Sequence, residues 1–190
     1  DLIIAADGGG QYLHDIGRFP HILMGDFDSL APEIYQEICR AGVELLTYPI
    51  AKDQTDIELA VDLAVARGAT GIRILGGIGE RLDHTLGNIG LLLKAYQLGV
   101  TAFLIDARQK VTITGSDIQI PCEAGMGLSL IPLTLKVSGV TTTGLQFPLK
   151  DADLYFQQTL GIHNECLGEK VGISVKEGIL IIITFQEKPI

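Results

Sequence analysis

The chain has 190 residues, 47% of them hydrophobic, and carries a formal net charge of −9. That length holds one or two domains with ample core, and the acidic balance argues against a broad nucleic-acid surface, so an anionic ligand needs a metal or a local basic residue as intermediary. No apolar run reaches spanning length and no signal peptide is visible, while Cys39, Cys122 and Cys166 are too scattered for a disulfide framework or a zinc site, which makes a reducing cytoplasm the expected setting.

Taken in chain order, Asp1 to Ala6 is an apolar run ending in Asp7-Gly8-Gly9-Gly10, and Ile22 to Met24 is a shorter one ending in Gly25-Asp26-Phe27-Asp28-Ser29. Pro32 suits the first turn of a helix through Ile34, Ile38 and Cys39 that stops at Gly42. Val43 to Tyr48 leads into Lys52-Asp53-Gln54-Thr55-Asp56-Ile57-Glu58, where Thr55 and Glu58 have capping-box spacing ahead of a helix carrying Ile57, Ala60, Val61, Ala64 and Val65. Ile72 to Leu75 leads into Gly76-Gly77-Ile78-Gly79-Glu80-Arg81-Leu82-Asp83-His84, a helix follows from about His84 to Tyr96, and Val100 to Ile105 reads as a fifth strand. Strand and helix alternate throughout, which predicts a parallel sheet with ligands bound beyond the carboxyl ends of its strands.

After about Asp106 the period changes. Val111 to Thr114, Ile118 to Ile120, Leu128 to Leu133, Leu135 to Val140, Val171 to Val175 and Ile179 to Phe185 read as short strands separated by Gly, Pro and Asp signals. The expectation is therefore an α/β chain: a parallel-sheet α/β domain over residues 1–106, followed by an all-β sandwich over 107–190.

Taken singly, these motifs have local roles. Asp26 and Asp28 can cap a turn, Gly76-Gly77 can turn the chain, Arg81 and Asp83 can form a surface ion pair, and His84 can open a helix. Function is indicated by their joint placement at strand ends, because carboxylates are costly to crowd unless a cation or proton offsets their repulsion, and oxygen donors suit a hard metal such as Mg²⁺ with its phosphate ligand.

The set Ala6-Asp7-Gly8-Gly9, Gly25-Asp26-Phe27-Asp28-Ser29, Lys52-Asp53-x-Thr55-Asp56-x-Glu58, Gly76-Gly77, Arg81-Leu82-Asp83-His84 and Asn88 resembles, in order and spacing, the thiamine pyrophosphokinase (thiamine diphosphokinase) family. The resemblance implies an N-terminal catalytic domain with a further strand before Asp1, a C-terminal β-sandwich that helps bind thiamine, and a homodimer. It implies transfer of the β,γ-pyrophosphoryl unit of ATP, the co-substrate, to the thiamine hydroxyl, releasing AMP. By resemblance Asp7, Asp26, Asp28 and Asp56 are the Mg²⁺ ligands, and Asp56, Arg81 and Asp83 are the catalytic candidates. Gly8, Gly9, Lys52, Gly76, Gly77 and Arg81 face the nucleotide, and Asp83, His163 and Asn164 face thiamine. The chemistry suits the residues, since pyrophosphoryl transfer depends on positioning and on neutralising phosphate charge.

One departure stands out. Where family members often carry Gly-Ile-Ser-Asn-Glu, this chain has Gly161-Ile162-His163-Asn164-Glu165, so an imidazole replaces the hydroxyl; in its neutral form it can supply the same hydrogen bond beside a cationic thiazolium. Two rival readings follow from parts of the pattern. Asp26-Phe27-Asp28 after a strand resembles the haloacid-dehalogenase phosphohydrolases, although that pair normally lies on the first strand. A non-catalytic thiamine- or nucleotide-binding module is the other.

Overall fold

The computed structural model describes residues 1–49, 52–79 and 81–186. Two compact units make up the chain, Asp1–Ile72 and Arg73–Ile190.

The first unit runs β1 (Ile4–Ala6), α1 (Gly9–Asp15), β2 (Ile22–Gly25), α2 (Pro32–Arg40), β3 (Glu44–Thr47) and α3 (Asp56–Ala66). Its three strands form a parallel sheet in the order β1-β2-β3, with Ala6 opposite Met24 and Gly25 opposite Thr47. All four residues of the central strand are buried, as expected of a strand covered on both faces. On one face Ala5 and Leu23 pack with Leu30 and Ile38, joined by Leu13, Phe27, Ile34 and Tyr35 from α1, α2 and the loop between β2 and α2. Ile22 and Met24, buried and out of phase with Leu23 along the strand, belong to the opposite face, and α3 packs against β1 and β2. Pro32 lies in the first turn of α2, and the Thr55 hydroxyl accepts the Glu58 N–H at 3.2 Å to cap α3, as the sequence predicts.

The second unit departs from the sequence reading. Next come β4 (Gly71–Leu75), α4 (Leu82–Gln97), β5 (Thr101–Ile105), β6 (Gln109–Thr114), β7 (Ile118–Pro121), β8 (Gly127–Pro132), β9 (Lys136–Thr143), β10 (Ala152–Tyr155), β11 (Asn164–Glu165), β12 (Lys170–Ser174) and β13 (Leu180–Phe185). The fourth and fifth strands do not extend the parallel sheet. They form one side of a six-stranded sheet ordered β11-β8-β13-β6-β5-β4. Asp106 makes the link to the later strands: its carboxylate accepts the Arg108 and Gln109 N–H groups at 2.7 and 2.8 Å and closes a short turn, so β5 and β6 are antiparallel neighbours. A turn that short joins only antiparallel strands, and it ties β5 to the later sheet. The compact units divide at residue 72, ahead of the change of period near residue 106.

A four-stranded sheet, β10-β9-β12-β7, supplies the other layer of this unit. Val137, Val140, Leu154, Val171 and Ile173 from that layer form one buried cluster with Leu128, Leu130, Leu180 and Ile182 from the six-stranded sheet. Cys122 and Cys166 are free thiols in this cluster, and burial, reinforced by Cys122, pushes the Cys166 thiol up to about 12. Strands β10 and β11 were not legible in the sequence, being short and set among polar and glycine residues.

Ile38 is fully buried against the parallel sheet. Ile38→Ala should destabilise the protein by about 2–5 kcal/mol, combining lost transfer energy with the cavity left behind. An unmoved midpoint in equilibrium urea denaturation would show that α2 can collapse into the gap.

Candidate active site

The ends of β1 and β2 build the acidic centre. Asp7 follows β1 with φ 46°, and its N–H donates to the Met24 carbonyl at 2.8 Å, so its backbone is fixed to the neighbouring strand. Gly25 makes that approach possible. A Cβ there would lie 3.3 Å from the Asp7 Cα, and its φ of 138° is one that side chains disfavour. Phe27 follows with φ 64°, its ring packed into the core 5.4 Å from the Tyr35 ring. With Phe27 turned inward in a left-handed conformation, the residues on either side carry their carboxylates outward. Asp7, Asp26 and Asp28 each offer a carboxylate oxygen, and these oxygens all lie within 4.8 Å of one another.

Two hydrogen bonds hold the group. The Ser29 hydroxyl donates to Asp7 Oδ1 at 2.7 Å, and the Asp28 N–H donates to Asp26 Oδ1 at 3.1 Å. Neither neutralises the charge. Hydrogen bonding to Asp26 and repulsion from it raise the Asp28 carboxyl above the ordinary carboxylate range, with Asp7 and Asp56 adding to the repulsion. An all-oxygen donor set carrying uncompensated negative charge is what a hard divalent cation requires.

Asp56 opens α3, and its carboxylate accepts Lys52 Nζ at 2.6 Å, both side chains being largely shielded. It is outside the three-carboxylate group, although its charge is felt at Asp28. Lys52 also lies 5.7 Å from the centre of the Tyr48 ring, which borders its ammonium on another side. Gly8 and Gly9 lie where α1 begins, and a Cβ on Gly8 would come 3.6 Å from the Ser29 hydroxyl.

The remaining predicted residues belong to the second unit. Gly76 and Gly77 follow β4, and Gly77 is wedged so closely that a Cβ would lie 2.9 Å from Leu104 and 3.0 Å from Ile74. The buried Asn88 amide donates to the Gly77 carbonyl at 2.7 Å, which fixes the peptide that turns the chain into α4. Arg81 and Asp83 pair through two parallel bonds, at 3.2 and 2.6 Å; the Arg81 guanidinium holds the Asp83 carboxyl below the ordinary range. Both are well exposed, so the pair adds little to stability and stays open to a ligand. Glu80 lies outside the described residues. His163 and Asn164 lie at the edge of the six-stranded sheet, where the Asn164 amide accepts the Phe147 N–H and donates to the Phe147 carbonyl at 3.1 and 2.7 Å.

Ser29 and Asn88 occurred in the predicted motifs but were given no task. Each acts through a neighbour in space, and a hydroxyl or amide bonding to a carboxylate or carbonyl 22 or 11 residues away leaves no periodic trace in sequence.

Family comparison adds an independent result. Residues 1–104 match the family described as thiamin pyrophosphokinase, catalytic domain, and residues 116–180 match thiamin pyrophosphokinase, vitamin B1 binding domain. The chain belongs to the thiamine pyrophosphokinase family. It is 35% identical over 185 residues to the thiamine pyrophosphokinase of Bacillus subtilis, covering 96% of this chain and 86% of the relative. A crystal structure of thiamine pyrophosphokinase from that organism superposes with a TM-score of 0.90 at 33% identity, over 98% of this chain and 88% of that one. The Candida albicans thiamin pyrophosphokinase structure, at 16% identity, shares the fold with a TM-score of 0.85 over 98% of this chain and 82% of its own. The phosphohydrolase and non-catalytic readings are not favoured beside these matches.

The raised Asp28 carboxyl gives a signed prediction for metal-free protein. A carboxyl whose folded pKa exceeds its unfolded value binds more protons in the native state, so its contribution to stability falls as pH rises through the window above about 4. Asp28→Asn should therefore raise the thermal midpoint at neutral pH in chelator, whereas Mg²⁺ should raise the midpoint of the unaltered chain more than that of the variant. A variant that is less stable in chelator would mean that Asp28 is not crowded, and one that gains as much from Mg²⁺ would mean that it is not a ligand.

Proposed function

We propose that this chain makes thiamine diphosphate, moving the β,γ-pyrophosphoryl unit of ATP to the hydroxyethyl oxygen of thiamine and releasing AMP. The observation that carries this reading is the group formed by Asp7, Asp26 and Asp28, three carboxylates held within 4.8 Å in a chain of this family.

In this reading Asp7, Asp26 and Asp28 hold Mg²⁺, with Asp56 as the fourth acidic residue of the site. When bound, the metal supplies Lewis-acid neutralisation of phosphate oxygens. The protein's own side chains do the positioning. Lys52, resting on Asp56, offers an ammonium to the polyphosphate, and exchange of that ion pair for a phosphate oxygen keeps the cation's charge satisfied throughout. Gly8 and Gly9 at the start of α1, and Gly76 and Gly77 after β4, offer backbone at close range to the nucleotide. Arg81 is assigned to the phosphates, its planar fork matching two oxygens at once, and Asp83 to the thiamine hydroxyl, which it orients as it leaves the guanidinium. His163 and Asn164 are assigned to the thiamine site. Transfer of this kind passes through a loose transition state, so the accepting oxygen needs alignment more than a strong base.

The setting is proposed to be cytoplasmic, and the working assembly a homodimer. Leu135 and Phe156 support the dimer: both are exposed, and the Phe156 N–H donates to the Leu135 carbonyl at 3.1 Å, so two large apolar side chains occupy one part of the surface. Sedimentation velocity should give twice the chain mass, and Leu135→Asp with Phe156→Asp should shift it to a monomer. A fully active monomer of the unaltered chain would remove the dimer from the scheme.

Product analysis tests the reaction itself. With Mg-ATP and thiamine, AMP and thiamine diphosphate should accumulate one for one. ADP with thiamine monophosphate in that ratio would instead mean attack at the γ phosphorus, and phosphate alone would mean hydrolysis.

A further inference from the structure

The edge of the six-stranded sheet near His163 is built in an unusual way. β11 pairs with β8 at Glu165 opposite Gly127 and Asn164 opposite Leu128. Two residues further along β8 the Leu130 N–H donates to the Gly161 carbonyl at 2.8 Å, whereas on the facing segment Gly161 is three residues from Asn164. One residue is therefore in excess, and the ladder bulges at Ile162 and His163. His163 absorbs the excess with φ 63°, a left-handed conformation that costs a non-glycine residue of this size about 1 kcal/mol or more.

What holds that conformation is a side chain. The His163 N–H does not enter the ladder; it donates to the hydroxyl of Ser129 at 3.0 Å. Ser129 is 6% exposed and lies between Leu128 and Leu130, whose side chains occupy the core on the other face of β8. Its own backbone is fixed by pairing with Ile183 of β13. The imidazole is steadied at the same place, its centre 6.0 Å from that of the Phe185 ring. Phe185 can occupy this position because its partner in the register is Gly127: a Cβ there would fall 2.7 Å from ring atom Cδ2 and closer still to the ring edge.

We propose that Ser129 is a positioning residue for thiamine binding, aiming His163 by accepting its backbone N–H and so holding the bulge in its left-handed form. The inference rests on the assignment of His163 to the thiamine site. An imidazole reaches further from the backbone than a short polar side chain does, so the angle at which it leaves the backbone matters more. Ser129 sets that angle without touching the substrate.

The test varies thiamine at saturating Mg-ATP. Ser129→Ala should raise the thiamine KM by about 5–10-fold, the weight of one buried hydrogen bond, with kcat within about twofold. Ser129→Thr, which keeps the hydroxyl, should restore the KM. In a His163→Ala background, Ser129→Ala should add less than about twofold, because the residue acts only through His163. Hydrogen exchange at the His163 amide should also accelerate in Ser129→Ala. If that variant does not fold, Ser129→Cys, nearly isosteric but a poor acceptor, should give the same shifts. An unchanged KM in folded Ser129→Ala, with a raised KM in His163→Ala, would overturn the positioning role alone. No effect of His163→Ala on thiamine would overturn the site assignment and this inference with it.

Discussion

Three carboxylates do not gather within 4.8 Å of one another by preference, and nothing in the first unit forms an ion pair with Asp7, Asp26 or Asp28 among the described residues. Their proximity is imposed from below by neutral packing. The parallel pairing of Ala6 with Met24 brings the two strand ends level, Gly25 lets the backbone of Asp7 come close, and burial of Phe27 against Tyr35 commits the loop to a conformation that leaves its acidic neighbours outside. Apolar burial thus does two jobs in this unit. It stabilises the sheet, and it stores electrostatic repulsion at one edge, where a divalent cation can relieve it. Charge density and core packing are mechanically linked through a single aromatic side chain.

The same coupling explains what could be read from the sequence. Asp7, Asp26 and Asp28 were legible because each follows an apolar run that can only be a strand, and the ends of neighbouring parallel strands meet in space. Thr55 was legible because capping geometry has a fixed spacing. The family could be named from its combined motifs, as the matches over residues 1–104 and 116–180 agree. Sheet membership was not legible. Strand and helix alternate from residue 1 to residue 105, and nothing in that period separates β3 from β4, although β4 and β5 stand in the sheet that holds β6. Local periodicity specifies elements, whereas sheet order follows from hydrogen bonds between distant segments.

The roles of residues that act through others were not legible either, even where the residue stood in a motif. Ser29 on Asp7, Asn88 on Gly77 and Ser129 on His163 share one design: a small polar side chain bonds to a single group of a more conspicuous residue and fixes its direction. A motif does not disclose this role, because the feature that matters is one atom's position across an interface between elements. The bulge at His163 shows the same limit. Its extra residue is evident only when both sides of the ladder are counted.

The central position of β13 has a consequence for synthesis of the chain. This strand, Leu180–Phe185, pairs with both β6 and β8, so the middle of the six-stranded sheet is supplied by a strand made long after β4 and β5. The three strands of the parallel sheet, by contrast, have all been made once Thr47 has emerged. During translation, β4, α4 and β5 must therefore wait through about eighty residues of elongation for the partner that completes their sheet, at a rate of roughly 5–20 residues per second. For several seconds the nascent chain presents half-paired apolar strands, and unpaired strand edges of that kind invite aggregation for as long as their partner is missing.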